Sequence, residues 1–229
     1  NLKIVFNKIN LKIKKILIKN FIKVANISND YKKTDTFFYI KLNENNTNVV
    51  YFENNSLKQE QNFKFGTNVI IKDISKITSL DIDEIKMILD KVELSDNILE
   101  DELIEKDFFK NNIYKKIKKK LIYEIAFARI KEISEIILFK NINFVYYNKN
   151  FNNIFLEIDD KLQLKCLKEI YRKNFVTYKN FNIDFVNFSK NSMLNTASKL
   201  VNFGWKNEAI PISKSKKSKI VRFFEAIFG

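Results

Sequence analysis

Residues 36–65 read TFFYIKLNENNTNVVYFENNSLKQEQNFKF, in which two mostly apolar runs and a third, more polar run are separated by the polar stretches NENN and NNS. Within the runs the apolar side chains recur with a period of two, which is typical of β-strands. Asparagine tolerates the left-handed backbone conformation that tight turns often need, so it can do here what glycine usually does. The segment therefore predicts an antiparallel meander of three strands.

Two amphipathic helices are predicted directly after the meander. Gly66 precedes the helical segment TNVIIKDISKI, and Asp81 stands at the N-cap position of IDEIKMILDKV. In this second segment the apolar residues repeat at helical spacing, namely Ile82, Ile85, Ile88, Leu89 and Val92. An acidic stretch further on, EDELIEKD, is a candidate strand.

The longest helical pattern runs from Phe108 to about Phe139. Its apolar periodicity predicts that one set of side chains is buried: Ile113, Ile117, Leu121, Ile125, Ala128, Ile133 and Ile136. The KKIKKK run inside this pattern is interpreted as a solvated face in preference to a binding patch, because Lys side chains on helices commonly extend into solvent.

The two ends of the chain complete an alternating pattern of helices and strands. Residues 1–10 predict a helix, LKIKKILIK a strand and FIKVANIS a short helix. In the last third, NIFLEI predicts a strand, DKLQLKCLKEIYRKN a helix, FVTY and IDFVNF short strands, and NSMLNTASKLVNF a helix that ends at Gly204. A meander followed by alternating helices and strands predicts an α/β fold with a mixed sheet.

The composition narrows the classes of function. The chain has no His, which removes the most common general base and most zinc sites. Its one Cys, Cys166, excludes an intramolecular disulfide and indicates a cytoplasmic setting; we expect it to be buried in a helix. The formal charge of +14 favours an anionic partner. Because Lys greatly outnumbers Arg, which specific nucleic-acid readers rely on, the charge does not predict a specific nucleic-acid partner.

The C-terminal stretch has the features of a membrane anchor. Residues 205–218 are polar, contain the chain's one proline at Pro211, and predict a linker; residues 219–229 predict a short amphipathic helix. Apolar and cationic side chains of this kind are expected to enter a lipid interface and to meet anionic headgroups. The expected membrane-binding residues are Lys216, Lys217, Lys219, Ile220, Val221, Arg222, Phe223, Phe224, Ile227 and Phe228.

Two other interpretations of this C-terminal helix stay open. It could fold back as a terminal core helix, or it could dock on a partner protein. Trp205, just beyond Gly204, is interpreted equally well as an interfacial anchor or as a side chain packed under the domain.

The order of these segments resembles the C-terminal half of the FtsA family, actin-like proteins that tie FtsZ filaments to the membrane in bacterial division. The resemblance rests on the meander, on FGTNVIIKDISKITSLDIDEIK, on IAFARIKEISEII with Arg129, Glu132 and Ile133, on LQLKCLKEIYRKNF, and on TASKLVNFGW followed by the basic C-terminal stretch. It implies an actin-like (ribonuclease-H-like) lobe over residues 1–204. An inserted subdomain is then expected at about 67–150.

The family resemblance also implies ATP and Mg²⁺, but the residues at the phosphate loop do not favour them. The family carries a glycine-rich turn between the first two strands of this lobe, where glycines let backbone N–H groups approach the phosphates. Here Lys41 and Leu42 are followed by the degenerate nucleotide-binding candidates Asn43, Glu44, Asn45, Asn46 and Thr47. A second glycine turn of the family is replaced by Ile158, Asp159 and Asp160, and we interpret the two aspartates as a helix N-cap, not a metal pair. We therefore expect no bound cofactor and no hydrolytic activity.

By resemblance, the expected function is to tether FtsZ filaments to the cytoplasmic face of the inner membrane at the division site and to recruit other division proteins. The expected partners are FtsZ, other division proteins, an anionic membrane surface, and further copies of the chain in an oligomer or filament. Three alternatives stay open: a basic nucleic-acid-associated module, an actin-like scaffold of pilus assembly, and a nucleotide-hydrolysing switch.

Overall fold

A computed structural model describes residues 2–13, 15–31, 34–95, 97, 99, 101–109, 114–144, 147, 153–158, 165–179 and 181–205. Its helices are α1 (Leu2–Lys8), α2 (Lys19–Asp30), α3 (Asn68–Thr78), α4 (Ile82–Lys91), α5 (Lys119–Ser134), α6 (Lys165–Lys179) and α7 (Lys190–Phe203). Its strands are β1 (Phe37–Leu42), β2 (Thr47–Glu53), β3 (Ser56–Phe63), β4 (Asn153–Ile158) and β5 (Asn182–Phe185). A 3₁₀ turn spans Lys106–Phe108, and α5 continues as a π-helical turn over Glu135–Phe139.

The five strands form one mixed sheet in the order β3-β2-β1-β4-β5. Strand β1 is antiparallel to β2, and β2 is antiparallel to β3, so the predicted meander is confirmed. Strand β4 is parallel to both β1 and β5. Parallel neighbours need crossover connections, and the helices between these strands provide them. The predicted α/β class with a mixed sheet is therefore confirmed.

Alternate side chains of the central strands supply a core on each face of the sheet. On one face, Phe38, Ile40, Val49 and Tyr51 belong to a large apolar cluster shared with α3, α4, α5 and α6. On the other face, Phe37, Tyr39, Val50, Phe52 and Phe155 pack with Val24 and Ile27 of α2. Helix α7 packs against α2 in this second layer. Because both faces are covered, the central strands are apolar on both sides instead of alternating with polar residues.

The second hairpin confirms the predicted use of asparagine in place of glycine. Asn54 and Asn55, between β2 and β3, have φ values of 50° and 60°, in the left-handed region. The first turn differs, because none of its residues Asn43–Asn46 is among the positive-φ residues of the described chain. Asparagine is therefore a conformational necessity in one turn and not in the other.

Three secondary-structure predictions are wrong. Residues 11–13 and 15–18 do not form a strand: they pair with neither edge strand of the sheet, and most of their side chains are exposed, so the burial that the apolar pattern implies is missing. The FVTY segment continues α6, since Phe175 is buried one helical turn after Tyr171 and this packing outweighs the strand propensity. The EDELIEKD stretch contributes an isolated bridge between Leu103 and Lys118 and the 3₁₀ turn, but no strand.

The long helix begins at Lys119, eleven residues later than predicted, and this changes which face is buried. Ile117 and Ile133 are buried as expected, whereas Leu121, Ala128 and Ile136 are exposed, Ile125 is half-buried, and Ile113 lies outside the described residues. The buried face consists instead of Ile122, Tyr123, Ala126, Ile130, Ile133, Ser134, Ile137 and Leu138. The wrong starting point displaced the phase of the period, because the first four residues of the KKIKKK run, 115–118, precede the helix.

The remaining helix predictions are confirmed. Asp81 is the N-cap of α4, and its backbone N–H donates to the Glu84 carboxylate at 3.0 Å. Helix α7 ends at Gly204, whose φ of 73° suits glycine. Helices α3, α4 and α5 lie between β3 and β4 in sequence, where the inserted subdomain is expected; that subdivision stays a prediction. No helix in the described part of the chain is long and apolar enough to cross a bilayer.

Candidate functional site

The candidate site is the turn Asn43–Asn46 between β1 and β2, where the family resemblance places a phosphate loop. The backbone N–H of Asn43 donates to the carbonyl of Asn46 at 2.9 Å and closes the turn. The side chains of Asn45 and Asn46 are exposed, whereas Thr47, the first residue of β2, is fully buried. The turn is thus a tight connection whose tip reaches solvent.

The start of α3 lies directly against this turn, and Gly66 makes the approach feasible. A Cβ atom at residue 66 would lie 2.0 Å from the carbonyl oxygen of Asn43, a distance that backbone atoms do not allow. The backbone N–H groups of Thr67 and Asn68 donate to the carbonyls of Asn43 and Glu44 at 3.0 and 2.9 Å. The Asn68 amide also donates to the Asn45 side chain at 2.9 Å.

These contacts occupy donors that an anion would otherwise use. The first N–H groups of a helix have no partner inside the helix, which is why helix N-termini attract phosphates. Here Thr67 is the N-cap of α3 and Asn68 its first residue, and both donate to the turn. The arrangement therefore uses the start of α3 to hold the β1–β2 turn in place.

The side chains around the turn are also committed to protein partners. The hydroxyl of Thr47, the one residue that matches the family's loop, donates to the carbonyl of Phe65 at 2.8 Å. Lys41 Nζ lies 3.1 Å from Glu157 Oε1, and Lys86 Nζ lies 3.7 Å from Glu44 Oε1. Glu44 thus brings a negative charge to the place where phosphate charge is expected, with one partly exposed Lys beside it.

Among the described residues, no group of three or more His, Cys, Asp or Glu side chains is placed to hold a metal ion. Of the second predicted loop, Ile158 is the last residue of β4 and is buried, whereas Asp159 and Asp160 lie outside the described residues. The predicted membrane-binding residues from Lys216 to Phe228 lie outside them as well.

A buried ion pair beside the turn was missed by the sequence reasoning. Lys23 of α2 is 3% exposed, and its Nζ lies 2.5 Å from Glu157 Oε2 and 2.8 Å from the Tyr39 hydroxyl. The Tyr39 hydroxyl also donates to Glu157. The available signal was a lysine inside the apolar segment FIKVA and a glutamate inside the apolar strand NIFLEI.

Burial and hydrogen bonding act in opposite directions on this pair. Burial lowers the pKa of the Lys23 ammonium, and the contact with Glu157 opposes that effect. Burial by itself would raise the pKa of Glu157, but the hydrogen bonds from Lys23 and Tyr39 outweigh it and hold that pKa below its ordinary value. The pair links α2 to β1 and β4.

A hollow of about 750 Å³ opens between the end of α4, α5 and α6. Tyr123 and Cys166 line it together with Glu169 and Lys173, so its wall is partly apolar and partly charged. Cys166 is buried, as predicted, and burial raises the pKa of its thiol to about 12. The thiol is therefore protonated at neutral pH and unsuited to act as a nucleophile.

Trp205 packs on the domain, which answers one question that the sequence left open. Its indole Nε1 donates to the carbonyl of Asn55 at 2.7 Å, and its ring meets Phe21 and Phe52 edge-on with centroids 5.7 and 6.3 Å away. It also lines a groove of about 410 Å³ with Phe21, Leu57 and residues 16–18. The last described residue of the chain is therefore fixed at the β2–β3 hairpin.

No family model and no curated protein sequence matches the chain. Solved structures of MreB5 of Spiroplasma citri match it with a TM-score of 0.53. The match to the ADP-bound form has 11% identity and covers 87% of this chain and 63% of the MreB5 chain. The match to the AMPPNP-bound form has 10% identity and covers 83% of this chain and 58% of the MreB5 chain. The PilM–PilN type IV pilus biogenesis complex matches at 10% identity with a TM-score of 0.47, covering 83% of this chain and 51% of that one.

This chain thus covers less than two thirds of the length of each of these structures. At such low identity the likeness concerns the fold alone. The strand order, with a meander joined to two parallel strands, agrees with it. The chain has an actin-like fold.

Proposed function

We propose that this chain is the second lobe of an actin-like scaffold that tethers FtsZ filaments to the cytoplasmic face of the membrane. In this proposal the segment 219–229 binds the membrane surface and the lobe binds the filament and other division proteins. FtsZ is proposed as the partner because the sequence resembles the FtsA family. The actin-like fold supports a scaffold of this general kind.

The observation that carries the proposal is the position of Trp205. Its hydrogen bond to Asn55 fixes the end of the folded lobe at one hairpin, and the amphipathic sequence begins only 13 residues later, after residues 206–218. A fully extended segment of that length spans about 45 Å. The C-terminal helix can therefore reach a bilayer that lies up to about that distance from the folded lobe.

The proposed mechanism depends on repetition. A single short amphipathic helix binds a membrane only marginally, whereas several helices held on one filament bind together with a much higher effective affinity. The attachment would then follow filament assembly and be lost when the filament comes apart. No chemical step is needed for this, and we propose that the lobe does not hydrolyse nucleotide.

Two features of the turn support a non-hydrolysing scaffold. The first N–H groups of α3 donate to the carbonyls of Asn43 and Glu44, so they are not available to a phosphate. The carboxylate of Glu44 would also repel one. A nucleotide-hydrolysing switch needs the opposite arrangement, with free backbone donors and a metal-binding acid.

Co-sedimentation with anionic vesicles tests the membrane part of the proposal. The intact chain is compared with a chain truncated after Pro211, at matched concentration and salt. We expect the intact chain to pellet with the vesicles and the truncated chain to stay in solution. If both pellet alike, the part of the chain up to Pro211 binds the vesicles and the proposal is wrong about the anchor. If neither pellets, even on a filament, the C-terminal helix does not bind membrane.

A further inference from the structure

The first eighteen residues present an unusual number of apolar side chains to solvent. In the described residues 2–13 and 15–18, which we call the N-terminal arm, the exposed apolar side chains are Ile4, Val5, Phe6, Ile9, Leu11, Ile16 and Ile18. Ile16 and Ile18 are 67% and 65% exposed. Isolated exposed apolar residues are ordinary, but seven of them within residues 4–18 indicate an interaction surface.

The same arm is strongly basic. Lys8, Lys12 and Lys15 are exposed along it, and Lys19 follows at the start of α2. The first acidic residue of the chain is Asp30, so no carboxylate of the arm itself offsets these charges. Apolar side chains interleaved with lysines, without acids, have the chemistry that an anionic lipid interface attracts.

The end of the arm lies beside Trp205, the last described residue before the C-terminal segment. Residues 16–18 line the 410 Å³ groove together with Trp205, and Phe21 of α2 contacts the Trp205 ring. Helix α2 begins at Lys19, directly after the arm. The groove thus brings the end of the N-terminal arm next to Trp205, the last described residue before the C-terminal segment, although the two are almost two hundred residues apart in sequence.

We propose that the N-terminal arm is a second lipid-binding element, which places its isoleucines in an anionic membrane surface beside the C-terminal helix. This inference rests on the proposed function of residues 219–229 as the first contact. Two weak lipid-binding elements on one lobe that engage the same bilayer combine their affinities. They also fix the orientation of the lobe, which a single linker does not.

The positive charge of the arm argues against three other possible binding partners for this surface. The chain's own C-terminal helix is basic, with Lys216, Lys217, Lys219 and Arg222, and would be repelled by the lysines of the arm. A second copy of the arm carries the same positive charge. A nucleic acid would meet the lysines but would leave Ile16 and Ile18 in water. A bilayer with anionic headgroups satisfies both kinds of side chain.

The test is vesicle binding by matched variants of the full chain. The arm variant is Ile16→Glu with Ile18→Glu, and the control is Ile77→Glu with Ile142→Glu, two isoleucines that are 58% and 80% exposed. Ile77 belongs to α3, which packs on the opposite face of the sheet. With phosphatidylglycerol–phosphatidylcholine vesicles we expect the arm variant to bind about tenfold more weakly than the control. Equal binding of the two variants overturns the proposal.

A second readout separates the arm from the C-terminal helix. A polarity-sensitive maleimide dye is attached at Ile16→Cys, with Ile142→Cys as control; Cys166 is buried and its protonated thiol does not compete. We expect the emission at residue 16, but not at residue 142, to shift to the blue with anionic vesicles. If the chain pellets and the dye at residue 16 does not respond, the arm is covered by something other than lipid, such as another part of a longer protein, and the inference is wrong.

The same experiments distinguish this inference from the proposed function. A chain with Phe223→Glu and Phe224→Glu that binds vesicles as well as the wild type contradicts the proposed anchor, whatever the arm does. A chain whose binding is lost in that variant but unchanged in the arm variant keeps the anchor and rejects the arm.

Discussion

The carbonyl oxygen of Asn43 lies only 2.0 Å from the position that a Cβ atom on residue 66 would take. This relationship explains why one of the chain's three glycines stands at residue 66. It lets the first N–H groups of α3 reach the carbonyls of the β1–β2 turn. The place where a phosphate loop is expected is thereby filled by the protein's own backbone.

We predict that Gly66→Ala strongly destabilises the fold. The new methyl group would overlap backbone atoms of Asn43 and Glu44, which cannot rotate away as a side chain can. We expect the free energy of unfolding to fall by at least about 3 kcal/mol, in the upper range for single substitutions. Urea denaturation followed by circular dichroism measures this change.

The control for this prediction is Gly204→Ala. Gly204 has a φ of 73° and a ψ of −171°, a conformation that is essentially restricted to glycine, but no atom lies within 4 Å of the added Cβ, so the cost is conformational only, about 1–3 kcal/mol. A cost for Gly66→Ala no greater than that for Gly204→Ala would mean that α3 does not lie against the turn as described.

We predict that the chain binds Mg–ATP more weakly than a Kd of about 1 mM. The backbone donors at residues 67 and 68 are engaged, and Glu44 adds a charge of the wrong sign. Isothermal titration of the chain with Mg–ATP, or fluorescence of Trp205 during the titration, measures the affinity. Micromolar binding by either method would contradict the interpretation of the turn as closed.

We predict that Glu157→Gln costs more stability than replacing the whole ion pair. The single change leaves the Lys23 ammonium, which is 3% exposed, without its counter-charge, and breaking a buried pair in this way costs about 3–5 kcal/mol. Lys23→Met together with Glu157→Met removes both charges and is expected to cost less. Chemical denaturation at neutral pH compares the variants, and a double variant that costs as much stability as Glu157→Gln, or more, would contradict the prediction.

The Lys23–Glu157 pair also makes the stability of the fold depend on pH. The pKa of Glu157 in the folded chain lies below its ordinary value of 4.5, so its contribution is complete above that pH and is lost as the pH falls through the folded pKa. Below pH 4.5 we therefore expect the wild type to lose stability more steeply than Glu157→Gln. Parallel pH profiles of the two proteins would contradict this.

The meander and most helices could be predicted from sequence because their patterns depend on local burial alone. The runs around Tyr39 and Tyr51 and the N-cap at Asp81 carry enough periodicity and capping chemistry to place their elements. The actin-like fold, expected from the order of the segments, is confirmed. The start of α5 was placed too early because the whole KKIKKK run is compatible with a helix, whereas its first four residues, 115–118, precede α5.

For the β1–β2 turn, the sequence predicted which residues form it but not that the start of α3 closes it. The loss of glycines at residues 43–46 was visible in the sequence, but the contact with Gly66 joins two segments that come together only through the sheet. The Lys23–Glu157 pair, 134 residues apart, was likewise invisible to any local pattern. The exposed arm was missed because an apolar stretch such as LKIKKILIK usually indicates a buried strand.

We predict that Phe223→Glu with Phe224→Glu abolishes binding to anionic vesicles without unfolding the lobe. Each substitution puts a charge where an apolar side chain is expected to enter the lipid, which opposes insertion of the short helix. Vesicle co-sedimentation measures the binding, and the circular dichroism melting curve verifies the fold. A conservative variant, Phe223→Leu with Phe224→Leu, should bind nearly as well as the wild type.

We propose above all that the chain connects FtsZ filaments to a membrane. The most direct test of this proposal is flotation of assembled FtsZ from the same organism with anionic vesicles, with the intact chain, with the chain truncated after Pro211, or with neither. We expect FtsZ to float with the vesicles only when the intact chain is present. If the intact chain floats while FtsZ stays at the bottom of the gradient, the lobe does not bind the filament and the tether is contradicted.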